Sequence, residues 1–549
     1  MQLTPSAHVD TFCRDHLPPA DQWPDIEFTL PELAYPDRLN CALALLAAPI
    51  SAHGAGRPCL LPQDPAAPAW SYGDLLATAG QIGSVLVRDL GIVPGNRVLL
   101  RGPNSPWMVA AWFGVLLAGG VAVTTMPLLR AGELATIADI AQVRLALCDE
   151  RFTGELIAAA VPGMRVVGFH PGPARPGPDA LGELNAMAAA HPADFDPVQT
   201  AADDVAFIAF TSGTTGRPKA AMHFHRDVLA VADTYSAHVL APRLDDVFTG
   251  TPPLAFTFGL GASLIFPIRA GAATLLIERA SPAELADLIA QRGVTICSTA
   301  PTAYRAILAA GKADQLRGLR HPVSAGETLP GSVWQAFYDA TGVKILDGIG
   351  STEMLHIFIG APEDTARPGS TGLVVPGYSA AILDGEGKPV PDGQPGRLAV
   401  KGPTGCRYLA DERQKAYVSG GWNFTGDTYI RDADGYYWFQ ARSDDMIVSS
   451  GYNIAGPEVE EVLLSDADVA ECGVVGVPDE SRGQIVKAFV VLREGAAAGP
   501  EKVAQLQELV KAAIAPYKYP RAIEFLPSLP RTNTGKLQRY KLRELAPGG

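Results

Sequence analysis

The stretch Phe210-Thr211-Ser212-Gly213-Thr214-Thr215-Gly216-Arg217-Pro218-Lys219 decides how the rest of the chain is read. Small hydroxylated residues and glycines alternate in it, and a lysine closes it. It continues an apolar, strand-like run over residues 205–210. Glycines let a backbone approach a ligand closely, and free N–H groups in such a loop form an anion-binding concavity. The threonines and the serine add hydroxyl donors, and Lys219 adds a mobile positive charge. A nucleoside triphosphate tail requires this combination. The common ATPase loop has four residues between its glycines and ends in Gly-Lys-Ser/Thr. Here only Thr214 and Thr215 separate Gly213 from Gly216, and Pro218 precedes the lysine. Pro218 also argues against a helix with a free N–H array starting there.

On the C-terminal side of this loop, strand and helix signals alternate. Residues 247–250 and 273–277 read as strands. Ser281-Pro282-Ala283-Glu284 is a capping box with proline at the first helical position, opening a helix to about Arg292. Strands follow at 294–298 and 343–346, with a helix from Pro301 between them. The pattern predicts parallel sheets covered by helices, an α/β fold. Ligands of such sheets bind where loops leave the carboxyl ends of strands, and both 211–219 and 347–353 are read as such loops. After about Gly369 the strands shorten, and Asp384-Gly385-Glu386-Gly387 and Asp392-Gly393 mark hairpins. The last hundred or so residues read as a small α+β unit, with helices near 457–464 and 501–514 and strands near 471–477 and 486–493. Residues 170–178 read as a surface loop.

A chain of 549 residues exceeds one ordinary core, so at least two domains are expected. Hydrophobic content of 47% and charged content of 19% describe a soluble globular protein. The net charge of −14 argues against general nucleic-acid binding or an anionic membrane surface, and requires any polyanion site to be locally positive. The 7 cysteines are scattered without a CxxC pair, which fits a reducing, cytoplasmic setting and gives no metal site. The N-terminus lacks a basic region followed by an apolar run, so no secretory signal is read there. Residues 102–129 carry no charge and are long enough to span a bilayer. Gly119-Gly120 splits them, so a buried helix at 107–118 and a strand at 121–125 are expected instead.

Further signatures stand in one order along the chain. They are Ala325-Gly326-Glu327, Asp347-Gly348-Ile349-Gly350-Ser351-Thr352-Glu353, Thr425-Gly426-Asp427, Arg442-Ser443-Asp444-Asp445, Ser450-Gly451-Tyr452-Asn453-Ile454 and Pro530-Arg531-Thr532-Asn533-Thr534-Gly535-Lys536. With the loop at 211–219 they resemble the adenylate-forming superfamily of acyl-CoA synthetases, peptide-synthetase adenylation domains and luciferases, over nearly the whole chain. The continuation Met354-Leu355-His356-Ile357-Phe358 and the run Phe256-Thr257-Phe258-Gly259-Leu260-Gly261 resemble the benzoate-CoA ligase branch. The opening Leu3-Thr4-Pro5-Ser6-Ala7-His8-Val9-Asp10-Thr11-Phe12 is similar to chains described as 2-aminobenzoate-CoA ligases.

The resemblance implies a large N-terminal domain (1–443) holding the ATP and acid sites, with a small β-rich part. It also implies a mobile C-terminal domain (444–549) that rotates about Asp444 between two poses. It implies that a carboxylate attacks the α-phosphorus of Mg-ATP, and that the thiol of coenzyme A then displaces AMP. Such chemistry is mostly positioning and electrostatics. Thr211, Ser212, Gly213, Thr214, Thr215, Gly216 and Lys219 would hold the β- and γ-phosphates, with Thr352 beside them. A carboxylate among phosphates needs a cation between them, so Glu353 would hold Mg²⁺. Gly326, Glu327, Thr328, Asp347, Gly348 and Ile349 would surround the adenine. Asp427 would take the ribose hydroxyls, and Arg442 the sugar or a phosphate; Ala441 before it replaces the family's usual glycine. Lys536 would neutralise the charge developing on carboxylate and α-phosphate. Phe256, Thr257, Phe258, Gly259, Ile349 and His356 would wall the acid pocket, Phe256 standing where many relatives have a gating His or aromatic. Gly451 and Tyr452 would line the pantetheine channel.

The expected partners are an aromatic acid, ATP and coenzyme A, with no nucleic acid or membrane, and the chain is expected as a monomer or homodimer. 2-Aminobenzoate stands first among acids and benzoate second. An enzyme loading a carrier protein's phosphopantetheine, or a non-catalytic adenylate-binding regulator, are the competing readings. The absence of a carrier domain disfavours the former, and Lys219, Glu353 and Lys536 disfavour the latter. Gly451→Leu is expected to release pyrophosphate normally while forming little thioester, because a side chain would block the channel. A normal thioester rate in that variant would reject the channel role.

Overall fold

The computed structural model describes residues 3–171, 182–211, 217–442, 445–449, 452–479, 482–514, 516–532 and 535–545. Two large sheets form the N-terminal body. The first runs Arg165–Phe169, Leu145–Asp149, Arg97–Arg101, Val121–Thr125, Val205–Thr211, Lys219–Phe224 in spatial order. Its pairings are parallel except the last, which is antiparallel. The second has nine strands, with a parallel centre at Ala273–Leu275, Val247–Gly250, Ile296–Thr299, His321–Ser324 and Leu346–Gly350. Antiparallel strands finish its edges.

Local sequence explains these elements. The uncharged run becomes the helix Pro106–Leu117 and the strand Val121–Thr125, both buried. The helix starts at the Ser105 cap with proline at its first position. No described helix is long and apolar enough to cross a membrane. The Ser281 capping box forms as expected and opens Pro282–Gln291. Gly114 on the buried helix lies against Ile82 of helix Tyr72–Ser84, where an added Cβ would stand 2.7 Å from the Ile82 methyl.

Two readings need correction. The strand expected at 343–346 is Leu346–Gly350, because pairing with Val323 and Ser324 begins at Leu346. Asp347 to Gly350 therefore belong to the strand, and only the following residues to a loop. The turns at Asp384 and Asp392 mark one antiparallel hairpin rather than two, with the Asp384 turn closed by the Leu383–Pro389 bridge. Both lie in one connection between Ser379–Leu383 and Gly396–Lys401. Asp384 closes its turn by accepting the backbone N–H groups of Glu386 and Lys388, while the Gly393 N–H goes to Arg431.

Those two strands belong to an antiparallel five-stranded sheet that includes Trp422–Arg431 and Tyr437–Arg442. The small C-terminal unit has strands Val469–Asp479, Gly483–Leu492 and Ala522–Phe525 packed by helices Gly456–Leu464 and Pro500–Ala513. All seven cysteines are buried free thiols. The close helix crossing at Gly114 generates a test. Gly114→Val is expected to cost about 1–3 kcal/mol through overpacking, read as a lowered denaturant midpoint. An unchanged midpoint would show that the two helices separate freely.

Candidate active site

Strand ends and loops meet around three adjoining clusters. In the first, Thr211 and Lys219 are cross-strand partners, so the phosphate-type loop is closed like a hairpin rather than feeding a helix. Ser212, Gly213, Thr214, Thr215 and Gly216 lie outside the described residues. The Lys219 ammonium donates to Glu353 Oε1 at 3.2 Å, and the Tyr408 hydroxyl donates to the same oxygen. Glu353 Oε2 receives no hydrogen bond from the described residues. Lys219 Nζ also stands 4.9 Å from the Tyr408 ring centre and 5.7 Å from that of Tyr417. Tyr417 reaches Ser351 Oγ at 2.9 Å. Arg413 donates to the carbonyls of Arg217 (2.9 Å) and Pro218 (3.2 Å), anchoring the exit of the loop. Thr352 begins the turn that carries Glu353, accepting the Leu355 N–H.

The sequence reading missed Tyr408, Tyr417 and Arg413. Their only signal is the mixed aromatic and basic run 407–417, which has no fixed spacing to recognise.

The second cluster is a cavity of about 470 Å³ between the N-terminal body and the C-terminal unit. Gly326, Glu327, Thr328, Asp347, Gly348, Ile349, Asp427, Arg442 and Lys536 line it. Asp427 is buried; Arg442 Nη1 donates to its Oδ1 at 3.0 Å and to the Thr425 carbonyl at 3.1 Å. Burial pushes the Asp427 carboxyl above the usual range, against the opposing pull of Arg442. Asp347, held by the Ser324 hydroxyl at 2.9 Å, is pushed up by burial in the same way. Ala441 is buried in the strand Tyr437–Arg442, opposite Thr428 and next to a register shift in the pairing with Trp422–Arg431, and Arg442 beyond it pairs with Asp427.

Lys536 is exposed to the cavity but enclosed by protein around it. That enclosure, with the Arg442 guanidinium, lowers its pKa below the ordinary lysine value, while Glu327, Asp427 and Glu353 oppose the shift. A lysine from near the C-terminus thus feels carboxylates from three distant stretches of chain.

The third cluster is an aromatic box. His356 is buried, with its ring 4.5 Å from Phe266, 5.5 Å from Tyr235 and 5.7 Å from Phe258 between centres. Burial pushes its pKa down to about 3, so the ring is neutral. Its Nε2 meets the Phe258 carbonyl at 3.4 Å. His356 Nδ1 and the buried Tyr235 hydroxyl find no partner among the described residues. Tyr235 and Phe266 were not foreseen, because they lie on helical stretches that read as ordinary core.

Leu355, between Glu353 and His356, has φ of +72°, a strained conformation for leucine. Phe256 caps the short helix Thr257–Leu260. Gly259 is required for close approach: a Cβ there would lie 2.2 Å from the Pro253 carbonyl oxygen. Asn104, in the loop after Arg97–Arg101, and Thr124 of the strand Val121–Thr125 pin this loop through the Pro252 and Ala255 carbonyls. Asp444 and Gly451 lie outside the described residues, as does the Tyr452 side chain.

A family model for AMP-binding enzymes matches residues 53–408, and one for the AMP-binding enzyme C-terminal domain matches 458–536. The benzoate–CoA ligase of Thauera aromatica is 34% identical over 522 residues, covering 94% of this chain and 98% of that protein. The 3-hydroxybenzoate–CoA ligase of Aromatoleum sp. (strain CIB) is 31% identical over 93% of this chain and 98% of its own length. Among solved structures, the anthranilate CoA ligase AuaEII in complex with anthranoyl-AMP matches with a TM-score of 0.87 at 34% identity, over 94% of this chain and 99% of that one. The chain belongs to the AMP-binding enzyme family, the adenylate-forming acyl-CoA synthetases, and within it to the benzoate–CoA ligase branch. It is an AMP-forming acid–thiol ligase that uses ATP and coenzyme A.

The depressed Lys536 pKa has a sign that can be measured. The role expected of Lys536 requires its ammonium form, and a lowered pKa means that form is lost earlier as pH rises. The kcat/KM for ATP in adenylation reports the free enzyme. It is expected to fall on an alkaline limb below the ordinary lysine pKa of about 10.4. Lys536→Arg, always charged, is expected to move that limb upward even if the rate is lower. An unmoved limb would assign it to another group.

Proposed function

We propose that this protein activates an aromatic carboxylate, 2-aminobenzoate first and benzoate second, as its adenylate and then transfers the acyl group to coenzyme A. The observation that carries the reading is the neutral aromatic box around His356 adjoining the clusters at Lys219 and Lys536. A flat ring fits apolar walls with a few polar groups. The unpaired Tyr235 hydroxyl and His356 Nδ1 are the polar groups on offer there. An ortho-amino group can donate to either. Relatives named for benzoate and 3-hydroxybenzoate, and a structural neighbour holding anthranoyl-AMP, support an aryl acid.

In this reading Lys219 exchanges Glu353 for the β- and γ-phosphates, with Thr211, Ser212, Gly213, Thr214, Thr215, Gly216 and Thr352 around them. Glu353 Oε2 fits a hard cation, and Mg²⁺ would be held by Glu353 with the substrate's phosphates, supplying charge neutralisation. Gly326, Glu327, Thr328, Asp347, Gly348 and Ile349 enclose the base. Asp427 accepts the ribose hydroxyls, and Arg442 holds Asp427 in place or reaches a phosphate. Lys536 stands beside the acid carboxylate and α-phosphate, where charge grows as the new C–O–P bond forms. Phe256, Thr257, Phe258 and Gly259 complete the acid wall. The unit beyond residue 443 then turns about Asp444, withdrawing Lys536 and bringing Gly451 and Tyr452 to the thiol's path.

The test is ATP–pyrophosphate exchange and thioester formation across substituted benzoates. The reading expects both activities, highest with 2-aminobenzoate. Activity confined to aliphatic acids would overturn it, and a requirement for a carrier protein in place of coenzyme A would replace the second step. Lys536→Ala is expected to lower adenylation at least ~10²-fold, as loss of a transition-state donor does. Thioester formation from supplied acyl-adenylate should persist in it; equal loss of both half-reactions would reject the role.

A further inference from the structure

We propose that Arg531 is a positioning residue for the adenylation half-reaction. It ties the turn carrying Lys536 to the N-terminal body through a chain of ion pairs. The inference rests on the two-step reading above.

Lys536 has no anchor of its own on a helix or strand. Its backbone is fixed by Thr532, whose N–H donates to the Lys536 carbonyl at 2.8 Å and whose hydroxyl accepts the Lys536 N–H at 3.0 Å. Arg531, one residue earlier, donates from Nη1 to the Gly535 carbonyl at 2.7 Å and forms a bridge with Leu537. The same guanidinium faces outward from the turn. Its Nη2 pairs with Glu471 at 2.9 Å, and its Nη1 stands 3.7 Å from Glu327 Oε1. Glu471 in turn stands 3.8 Å from Arg305. Glu327 and Arg305 belong to the N-terminal body, on the loop after His321–Ser324 and on helix Pro301–Ala309. Glu471 and Arg531 belong to the C-terminal unit. The alternating order Arg305–Glu471–Arg531–Glu327 therefore crosses between the two units twice, and all four residues line the cavity that holds Lys536.

A guanidinium suits this task because its fork can serve a carbonyl and two carboxylates at once. The pairs are partly exposed, so each is weak, and salt should screen them. Their effect is to favour the pose in which Lys536 faces Asp427 and Glu353, and the proposal gives Arg531 and Arg305 no contact with substrate.

The experiment measures the two half-reactions separately, using pyrophosphate exchange with benzoate and thioester formation from supplied benzoyl-adenylate. Arg531→Gln is expected to lower kcat for exchange about tenfold, and Arg305→Ala about threefold, the range over which side chains remote from ligand shift a coupled equilibrium. KM for ATP should stay within about twofold, because no nucleotide contact is lost. Arg531→Lys should fall between parent and Arg531→Gln. The double variant should be no slower than Arg531→Gln by more than about twofold, since both act through Glu471. Thioester formation should not fall in any of them, and added salt should narrow the gap to the parent.

Equal loss in both half-reactions, a rise in KM with unchanged kcat, or effects that multiply would overturn the proposal. Exchange at parental rates in Arg531→Gln would also overturn it while leaving the aryl-ligase reading standing. No exchange by the parent with any aryl acid would instead remove that reading.

Discussion

An acidic chain that takes a polyphosphate has to gather positive charge in one place and keep it from repelling itself beforehand. With a net charge of −14 this protein meets the condition locally, by setting the lysines and Arg442 of the site among carboxylates from other stretches of chain. Lys219 is paired with Glu353, Arg442 with Asp427, and Lys536 feels Glu327, Asp427 and Glu353. The pairing holds the groups near their working geometry and limits the cost of their partial desolvation. In the proposed reading a bound phosphate chain would exchange partners with them instead of recruiting them from solution, which is how a preorganised site avoids reorganisation at the moment of reaction.

The fold makes such pairing possible because two sheets deliver their strand ends to the same region. The antiparallel return of Lys219–Phe224 beside Val205–Thr211 brings both ends of the glycine loop together. The strand Leu346–Gly350 carries Asp347 and Ile349 into the cavity, and the turn beyond it presents Glu353. Supporting contacts are made by backbone carbonyls held from a distance. Buried Arg101 donates to the carbonyls of Met126, Pro127, Leu129 and Phe152, fixing the loop that leaves Val121–Thr125. Arg413 does the same for the exit of the phosphate-type loop. In each case one planar cation satisfies carbonyls that a loop cannot pair internally.

How much of this was legible in the sequence follows from what each feature depends on. The Ser281 capping box and the helix at 106–117 rest on neighbours within a turn, and they were read correctly. Lys536 and Asp427 were legible only through the ordered motifs, since nothing in residues 530–536 taken alone says where the lysine goes. The strand end at 343–346 was misread because Val343 and Ile345 have the right side chains, while pairing is set by where Val323 and Ser324 stop. Tyr408, Tyr417 and Tyr235 were invisible for a different reason. An aromatic residue that lines a site and one that fills a core have the same local pattern, and only tertiary placement separates them.

The strained Leu355 connects these points. Glu353 must face Lys219 while His356, three residues on, must turn into the aromatic box. Met354 and Leu355, both buried, lie between them, and the segment 352–356 is neither helix nor strand. The positive φ at Leu355 reverses the chain within the turn, and the cost, of the order of 1–2 kcal/mol for a non-glycine residue, is borne by surrounding packing. Leu355 and Met354 are both fully buried, and the Met354 carbonyl is held by Thr404 at 2.8 Å, so the turn is fixed from the core side. The carboxylate beside Lys219 and the shape of the aromatic box are thereby set by one short segment. In the proposed reading, a change in the box near His356 therefore also reaches the carboxylate expected to face the phosphates.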